Sequence, residues 1–265
     1  MPWLACGVPE GDTIHTLAAR LRPALEGATL VRFEAPRLAG TVRPRPGMAI
    51  ESVGAHGKHL LVRFERDLVL EVHLGMVGSW QLARPGERLR KPRHLVRAWI
   101  GVDGWDAVFF TAPTVRAFVD RGGATPISHL GPDLAVADPD VEAAVARMAT
   151  IPEAGTSIAE VLLDQRVAAG VGNVFKSEVL WAERVDPFAP VEQVPVEVRR
   201  ALLATAAAQL AANVGPGRRT TVPGGLAVYG RARRPCPRCG TAIRMRRHGT
   251  QARSTYWCPT CQTGT

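Results

Sequence analysis

"LLDQRVAAGVGNVFKSEVLW", Leu162–Trp181, decides how this chain is read. The apolar spacing leading into it predicts a helix that ends near Val167. Gly170 and Gly172 permit a tight, irregular turn, and Asn173 stands where a cap for the following helix belongs. Exposed backbone N–H groups at such a helix start suit a phosphate, with the helix dipole assisting. Lys176 follows one turn later. A plain connection between two helices accounts for the same spacing, so the stretch alone leaves both readings open.

On either side, "DPDVEAAVARMAT", "SIAEVLLDQRV", "VFKSEVLWAERV" and "PVEVRRALLATAAAQLAANV" have helical spacing, which predicts a small all-helical domain over residues 127–217. Upstream the period changes. "DTIHTLAARLRPAL" predicts one helix, with Asp12 or Thr13 as its N-cap. Short apolar or alternating runs follow: "TLVRFEA", "MAIESVGAHG", "KHLLVRFE", "LVLEVHLG", "HLVRAWIGV" and "DAVFFTA". Turn residues separate them, so residues 9–125 are expected to form an antiparallel β-sandwich or barrel entered by one helix. Downstream, residues 229–265 are short, basic and Cys-bearing, and cannot hold a core without a staple.

The staple is legible. Cys236 and Cys239 form one pair, Cys258 and Cys261 the other, with eighteen residues (240–257) between them. That spacing predicts a four-Cys zinc site, structural because no coordination position is open. Arg244, Arg246, Arg247, His248 and Arg253 lie between the knuckles, either as a rigid basic finger or as a solvated charged turn. Arg253, just before "STYWC", is the arginine best placed for a specific phosphate contact.

The formal charge of +9 over 265 residues implies an anionic partner, most often nucleic acid. No basic amphipathic helix with large apolar residues favours a membrane surface, and no apolar run reaches the length of a span. "MPWLAC" is too short for a secretory signal and lacks a basic region. Four of the five cysteines sit in metal-type pairs and Cys6 stands alone. The expectation is a cytoplasmic protein with reduced thiols.

"PEGDTIH", "GKHLL", "HLGM", "LLDQRVAAGVGNVFKSEVLW", "VYGRARRPCPRCGT" and "RSTYWCPTCQ" occur in this order, from Pro9 to Gln262. Together they resemble the formamidopyrimidine-DNA glycosylase/endonuclease VIII family of bifunctional DNA repair enzymes. The resemblance implies an α+β multidomain fold: an N-terminal helix plus antiparallel β-sandwich, a helix–two-turns–helix domain, and a C-terminal four-Cys zinc finger. It implies damaged DNA as partner and one structural zinc ion as cofactor. One enzyme per lesion suggests a monomer.

The resemblance also implies roles. Pro9 matches the family's N-terminal proline nucleophile, and Glu10 its general acid/base. Lys58 matches a lysine that contacts the phosphate flanking the lesion and assists base loss. Asn173 and Arg253 match the residues that pinch the DNA backbone, and Met76, assisted by Val77, fits a wedge into the duplex. An α-amine is apt as nucleophile, because its pKa of about 7.7–8.0 leaves far more free base at neutral pH than a lysine has.

An internal Pro9 has a tertiary amide nitrogen and cannot form an iminium. The expectation is therefore that residues 1–8 are a mis-annotated or removed leader, a GTG codon at Val8 being the true start. "Pro-Glu-Gly", the absence of a "DPRRFG"-type loop from "FFTAPTVRAF", and the short "NVGPGRRTTVPGGLAVYG" segment resemble the endonuclease VIII branch. They favour oxidised pyrimidines and abasic sites. The alternatives are an 8-oxoguanine or formamidopyrimidine enzyme of the same fold, or a non-catalytic binder of damaged DNA if Pro9 is not the mature terminus.

Overall fold

A computed structural model describes residues 8–263. The expectation concerning Met1–Gly7 lies outside those residues. The described chain falls into two compact units, Thr13–His129 in one, and the residues up to Asp12 with those from Leu130 onward in the other.

Helix α1 (Gly11–Leu25) leads into the first unit. Ile14, Leu17, Ala18, Leu21 and Leu25 fall on one face at helical spacing and are buried. The helix is already running at Asp12, so neither Asp12 nor Thr13 is its cap, as the sequence had suggested.

The strands are β1 (Leu30–Glu34), β2 (Ile50–His56), β3 (His59–Phe64), β4 (Leu68–His73), β5 (Ser79–Ala83), β6 (Val96–Val102), β7 (Trp105–Phe110) and β8 (Thr114–Val119). They form two four-stranded sheets, β1-β6-β7-β5 and β2-β3-β4-β8. All ladders within them are antiparallel. Leu60, Val62, Phe64, Leu70 and Val72 from one sheet share a core with Ala98, Ile100, Ala107 and Phe109 from the other and with the apolar face of α1. That is a β-sandwich with alternate residues turned inward. Strands β5 and β8, which no sequence run had announced, close one edge of each sheet.

The second unit holds α2 (Val141–Thr150), α3 (Ile158–Val161), α4 (Asn173–Ala182) and α5 (Val196–Ala212). Asp140 caps α2 by accepting from the Ala143 N–H at 2.8 Å. Phe175, Val179 and Leu180 of α4 pack with Leu202, Leu203, Ala206 and Leu210 of α5 in its core. Helix α3 stops at Val161, well before the Val167 expected. Beyond it the Leu163 and Asp164 N–H groups bond three residues back, and the Asp164 carboxylate accepts from the Arg166 N–H at 2.9 Å. An aspartate that bonds local backbone in this way competes with helix continuation.

The same unit carries the hairpin of β9 (Arg244–His248) and β10 (Arg253–Trp257). Its small core is Trp181, Ala227, Val228, Cys236, Ile243 and Cys258. Among the described residues no helix is long and apolar enough to cross a membrane.

Candidate active site

Glu10 has no solvent exposure. The Gly172 N–H donates to its Oε2 at 2.9 Å, Val174 N–H to Oε1 at 2.7 Å and Phe175 N–H to Oε2 at 3.3 Å. These are otherwise unpaired donors of the first turn of α4, where the helix dipole also favours an anion. The sequence reading had offered this helix start to a phosphate. The structure corrects it, since the protein's own carboxylate occupies the position.

Two glycine contacts make the arrangement possible. The Gly11 N–H donates to the Gly170 carbonyl at 2.9 Å, and a Cβ on Gly11 would stand 2.9 Å from the Gly170 Cα. A Cβ on Gly172 would lie 2.4 Å from Glu10 Cδ. Gly172 has φ −121 and is itself the N-cap of α4. It is required for space, whereas Gly170, at φ 109, is required for backbone conformation.

Arg219 stands beside the same segment. It donates from Nε and Nη2 to the two Asp12 oxygens at 2.7 and 2.6 Å, and lies 3.9 Å from Glu10 Oε1. Its guanidinium stacks 4.9 Å from the Phe175 ring and stands 3.5 Å from the Val8 carbonyl oxygen. Pro9, half-buried, thus sits between Arg219's anchor points at Val8 and Asp12.

Asn173 is the first residue of α4, not its cap. Its Nδ2 donates to Ser254 Oγ at 2.9 Å and its Oδ1 accepts from Lys176 Nζ at 2.7 Å, so its side chain faces β10. Arg253, exposed at the start of β10, is braced by Gln251 Oε1 at 3.0 Å. The structure therefore brings Pro9, Glu10, Asn173 and Arg253 into one unit.

Lys58 and Met76 belong to the sandwich unit. Lys58 is half-buried in the turn joining β2 to β3. On the adjoining strands His59 Nδ1 lies 2.9 Å from Glu71 Oε1, and the His59 and His73 rings are 4.8 Å apart. Burial, with His59 and Lys58 nearby, pushes His73 down to about 4 against the opposing pull of Glu71, so His73 is neutral at physiological pH. Burial raises Glu71, but the His59 hydrogen bond and charge, with Arg116, outweigh it and leave the carboxyl below its ordinary range. Met76 and Val77 are 60% and 66% exposed and, with Val31 at 60%, are the most exposed of the big apolar side chains described.

The Cys236, Cys239, Cys258 and Cys261 sulfurs all lie within 4.8 Å of one another. Cys239 Sγ is 3.5 Å from Cys258 Sγ and 3.4 Å from Cys261 Sγ. A tetrahedral ion with four thiolates at about 2.3 Å places the sulfurs about 3.8 Å apart, so the cluster fits a structural metal.

Three charged side chains around the site were assigned no role by the sequence, although Lys176 was noted one turn beyond the Gly170–Asn173 break. Arg219 lies in a Gly-rich loop with no local pattern. Glu178 and Lys176 did carry a signal, being two charges inside the apolar run "VFKSEVLW". Both are buried, and the carboxylate of Glu178 accepts from the Ala227, Val228 and Tyr229 N–H groups at 2.7, 2.9 and 2.7 Å.

Comparison with known proteins covers the whole arrangement. A family model for the formamidopyrimidine-DNA glycosylase N-terminal domain matches residues 8–117. One for the formamidopyrimidine-DNA glycosylase H2TH domain matches 130–222, and one for the zinc finger found in FPG and IleRS matches 234–264. The chain is similar to a Streptomyces coelicolor protein named probable endonuclease 8 2, at 42% identity over 97% of this chain and 95% of that one. It is also similar to the Mycolicibacterium smegmatis DNA-(apurinic or apyrimidinic site) lyase Nei2, at 37% identity over 97% and 99%. Among solved structures, the Thermus thermophilus MutM (Fpg) protein superposes with TM-score 0.77 at 30% identity, covering 97% of this chain and 100% of that one. Lactococcus lactis Fpg bound to DNA containing an abasic site shares the fold, with TM-score 0.81 at 22% identity over 96% and 99%. With three family models matched in order along its length and relatives of 37–42% identity covered almost end to end, the chain belongs to the formamidopyrimidine-DNA glycosylase/endonuclease VIII family.

Proposed function

We propose that this protein is a bifunctional DNA glycosylase and abasic-site lyase of base excision repair that acts, as a monomer, on oxidised pyrimidines. Its nucleophile is the amine of Pro9 in a form of the chain that begins there. The observation that carries the reading is the Glu10 carboxylate, buried next to Pro9 and held by three N–H groups of one helix start.

The Pro9 secondary amine attacks the sugar C1′. The C1′–N bond to the damaged base breaks, and the base leaves with the bonding pair and takes up a proton. The sugar ring opens to an iminium between Pro9 and C1′. Loss of a C2′ proton then forms a C2′–C3′ double bond as the C3′–O bond breaks, and the 3′-phosphate leaves with the bonding pair, which cuts the strand on the 3′ side. Glu10 moves protons at the opening sugar and faces the developing positive charge. Arg219, ion-paired with Asp12 and 3.9 Å from Glu10 Oε1, braces the segment on which the amine sits. Lys58 contacts the phosphate beside the lesion, Asn173 and Arg253 grip the backbone so that the damaged nucleotide turns out, and Met76 fills the stack. Cys236, Cys239, Cys258 and Cys261 hold one zinc ion that fixes the finger.

The test is borohydride trapping on duplex DNA with an abasic site, comparing protein that begins at Pro9 with protein retaining residues 1–8. The expected result is a covalent adduct at Pro9 for the first and none for the second. Equal trapping by both, with the adduct on another residue, overturns the Pro9 assignment. Excision of 8-oxoguanine ahead of thymine glycol and dihydrouracil overturns the lesion preference.

A further inference from the structure

Lys176 is 1% exposed, and the mechanism above gives it no task. Its Nζ donates to Asn173 Oδ1 at 2.7 Å, to Thr255 Oγ1 at 2.9 Å and to the Ser254 carbonyl at 3.1 Å. An ammonium has three donors and no acceptor, so the charged form donates to all three partners at once, whereas a neutral amine donates to only two and must accept from the Thr255 hydroxyl. Because the ammonium only donates, it also dictates the orientation of the Asn173 amide. The oxygen must face Nζ, and the NH₂ group is thereby turned toward Ser254 and the outside of the helix start.

We infer that Lys176 is a positioning residue for DNA binding, whose ammonium orients the Asn173 amide and ties the first turn of α4 to strand β10, so that Asn173 and Arg253 present their donors to one phosphate. The inference rests on the reading of Asn173 as a phosphate contact.

The charge state makes the role measurable. Burial pulls the ammonium down to about 8; Glu10 opposes this, Arg253 adds to it, and Glu160 opposes it. His248 of β9 also feels the charge of Lys176. A phosphate arriving at Asn173 and Arg253 favours the protonated lysine, so DNA binding above about pH 8 takes up a proton. The grip therefore loosens as pH rises through that value.

The experiment measures affinity for a duplex carrying a tetrahydrofuran abasic analogue, from pH 7 to 9, for zinc-loaded wild type, K176M, K176R, N173A and the K176M/N173A double variant. Zinc content and a cooperative melt are checked for each. The expected result is about a tenfold loss for K176M at pH 7, in line with removal of a charged hydrogen-bond donor. Adding K176M to N173A is expected to cost clearly less than K176M costs alone, with partial rescue by K176R and loss of the wild type's pH dependence in both Lys176 variants. Additive losses in the double variant, or an unchanged pH profile, overturn the inference while leaving Asn173 as a contact. An N173A variant that binds like wild type instead sinks the reading of Asn173 itself. If K176M does not fold, calorimetry of the wild type at pH 8.5 in buffers of different ionisation enthalpy decides. Net proton uptake supports the inference, and none overturns it.

Discussion

Helix α4 takes part in two carboxylate cages of opposite construction. Glu10 comes from outside the helix and is held by N–H groups of the helix's own first turn. Glu178 belongs to the helix and reaches out to hold the Ala227, Val228 and Tyr229 N–H groups, with the Thr221 hydroxyl donating as well. Both side chains have no solvent exposure. Their chemistry is nearly the same, since each pairs a buried anion with three backbone donors, and a hydrogen bond to a charged group contributes about 1.5–3 kcal/mol. What differs is which partner is rigid. A helix turn fixes the position of the acid it holds, whereas an acid rooted in a helix fixes the loop it holds. The first arrangement holds the carboxylate for which we propose a part in the reaction. The second pins the segment that leads into the metal-bearing finger.

The sharpest way to break this contrast is Glu10→Gln in protein beginning at Pro9. Loss of the proton-moving group is expected to slow lesion excision by about 10²–10⁴-fold. The amide must also point an NH₂ at helix N–H donors, which costs about 1–3 kcal/mol of stability. Single-turnover excision and a urea melt read the two effects separately. Less than a tenfold loss of rate would demote Glu10 to a structural acid like Glu178.

Gly172→Ala attacks the cage without touching the acid. The new Cβ would sit 2.4 Å from Glu10 Cδ and 2.5 Å from Cγ, so the carboxylate must move. A displacement of about 1 Å at a reacting group costs about 10²-fold in rate. The Gly172→Ala/Glu10→Gln pair is expected to be no slower than the slower single variant. Additive losses would show that Gly172 acts on something other than Glu10.

The two cages were unequally legible. Pro9-Glu10-Gly11 and the Gly170–Asn173 turn were each visible as motifs, but their meeting was not, because Glu10 and Gly172 are 162 residues apart and backbone N–H donors leave no mark in a sequence. Gly172 was readable as a special position for the wrong reason, turn conformation in place of room for a carboxylate. The four-Cys cluster was legible, since two thiolates on one turn impose a short local spacing. Six of the eight sandwich strands showed as apolar or alternating runs. Strands β5 and β8 did not; each lies at a sheet edge and starts beside Gly78 or Pro113. A glycine or proline at the start of a strand marks the stretch as a turn when only the sequence is read.

Glu178→Gln is expected to have the smallest effect on chemistry and a clear one on stability. The amide keeps an acceptor for one or two of the Ala227, Val228 and Tyr229 N–H groups and turns a donor toward the others, so the segment before Cys236 loosens. The expected loss is about 1–3 kcal/mol of unfolding free energy, together with faster release of zinc to a chelator. Excision per trappable molecule should stay within about twofold of wild type, because the carboxylate that faces the sugar is untouched. Borohydride titration of active molecules, followed by single-turnover excision, separates a smaller folded fraction from slower chemistry. A slower rate per active molecule, with stability and zinc retention unchanged, would place Glu178 in the reaction. The direction in which a cage is built would then no longer tell a catalytic acid from a structural one in this helix.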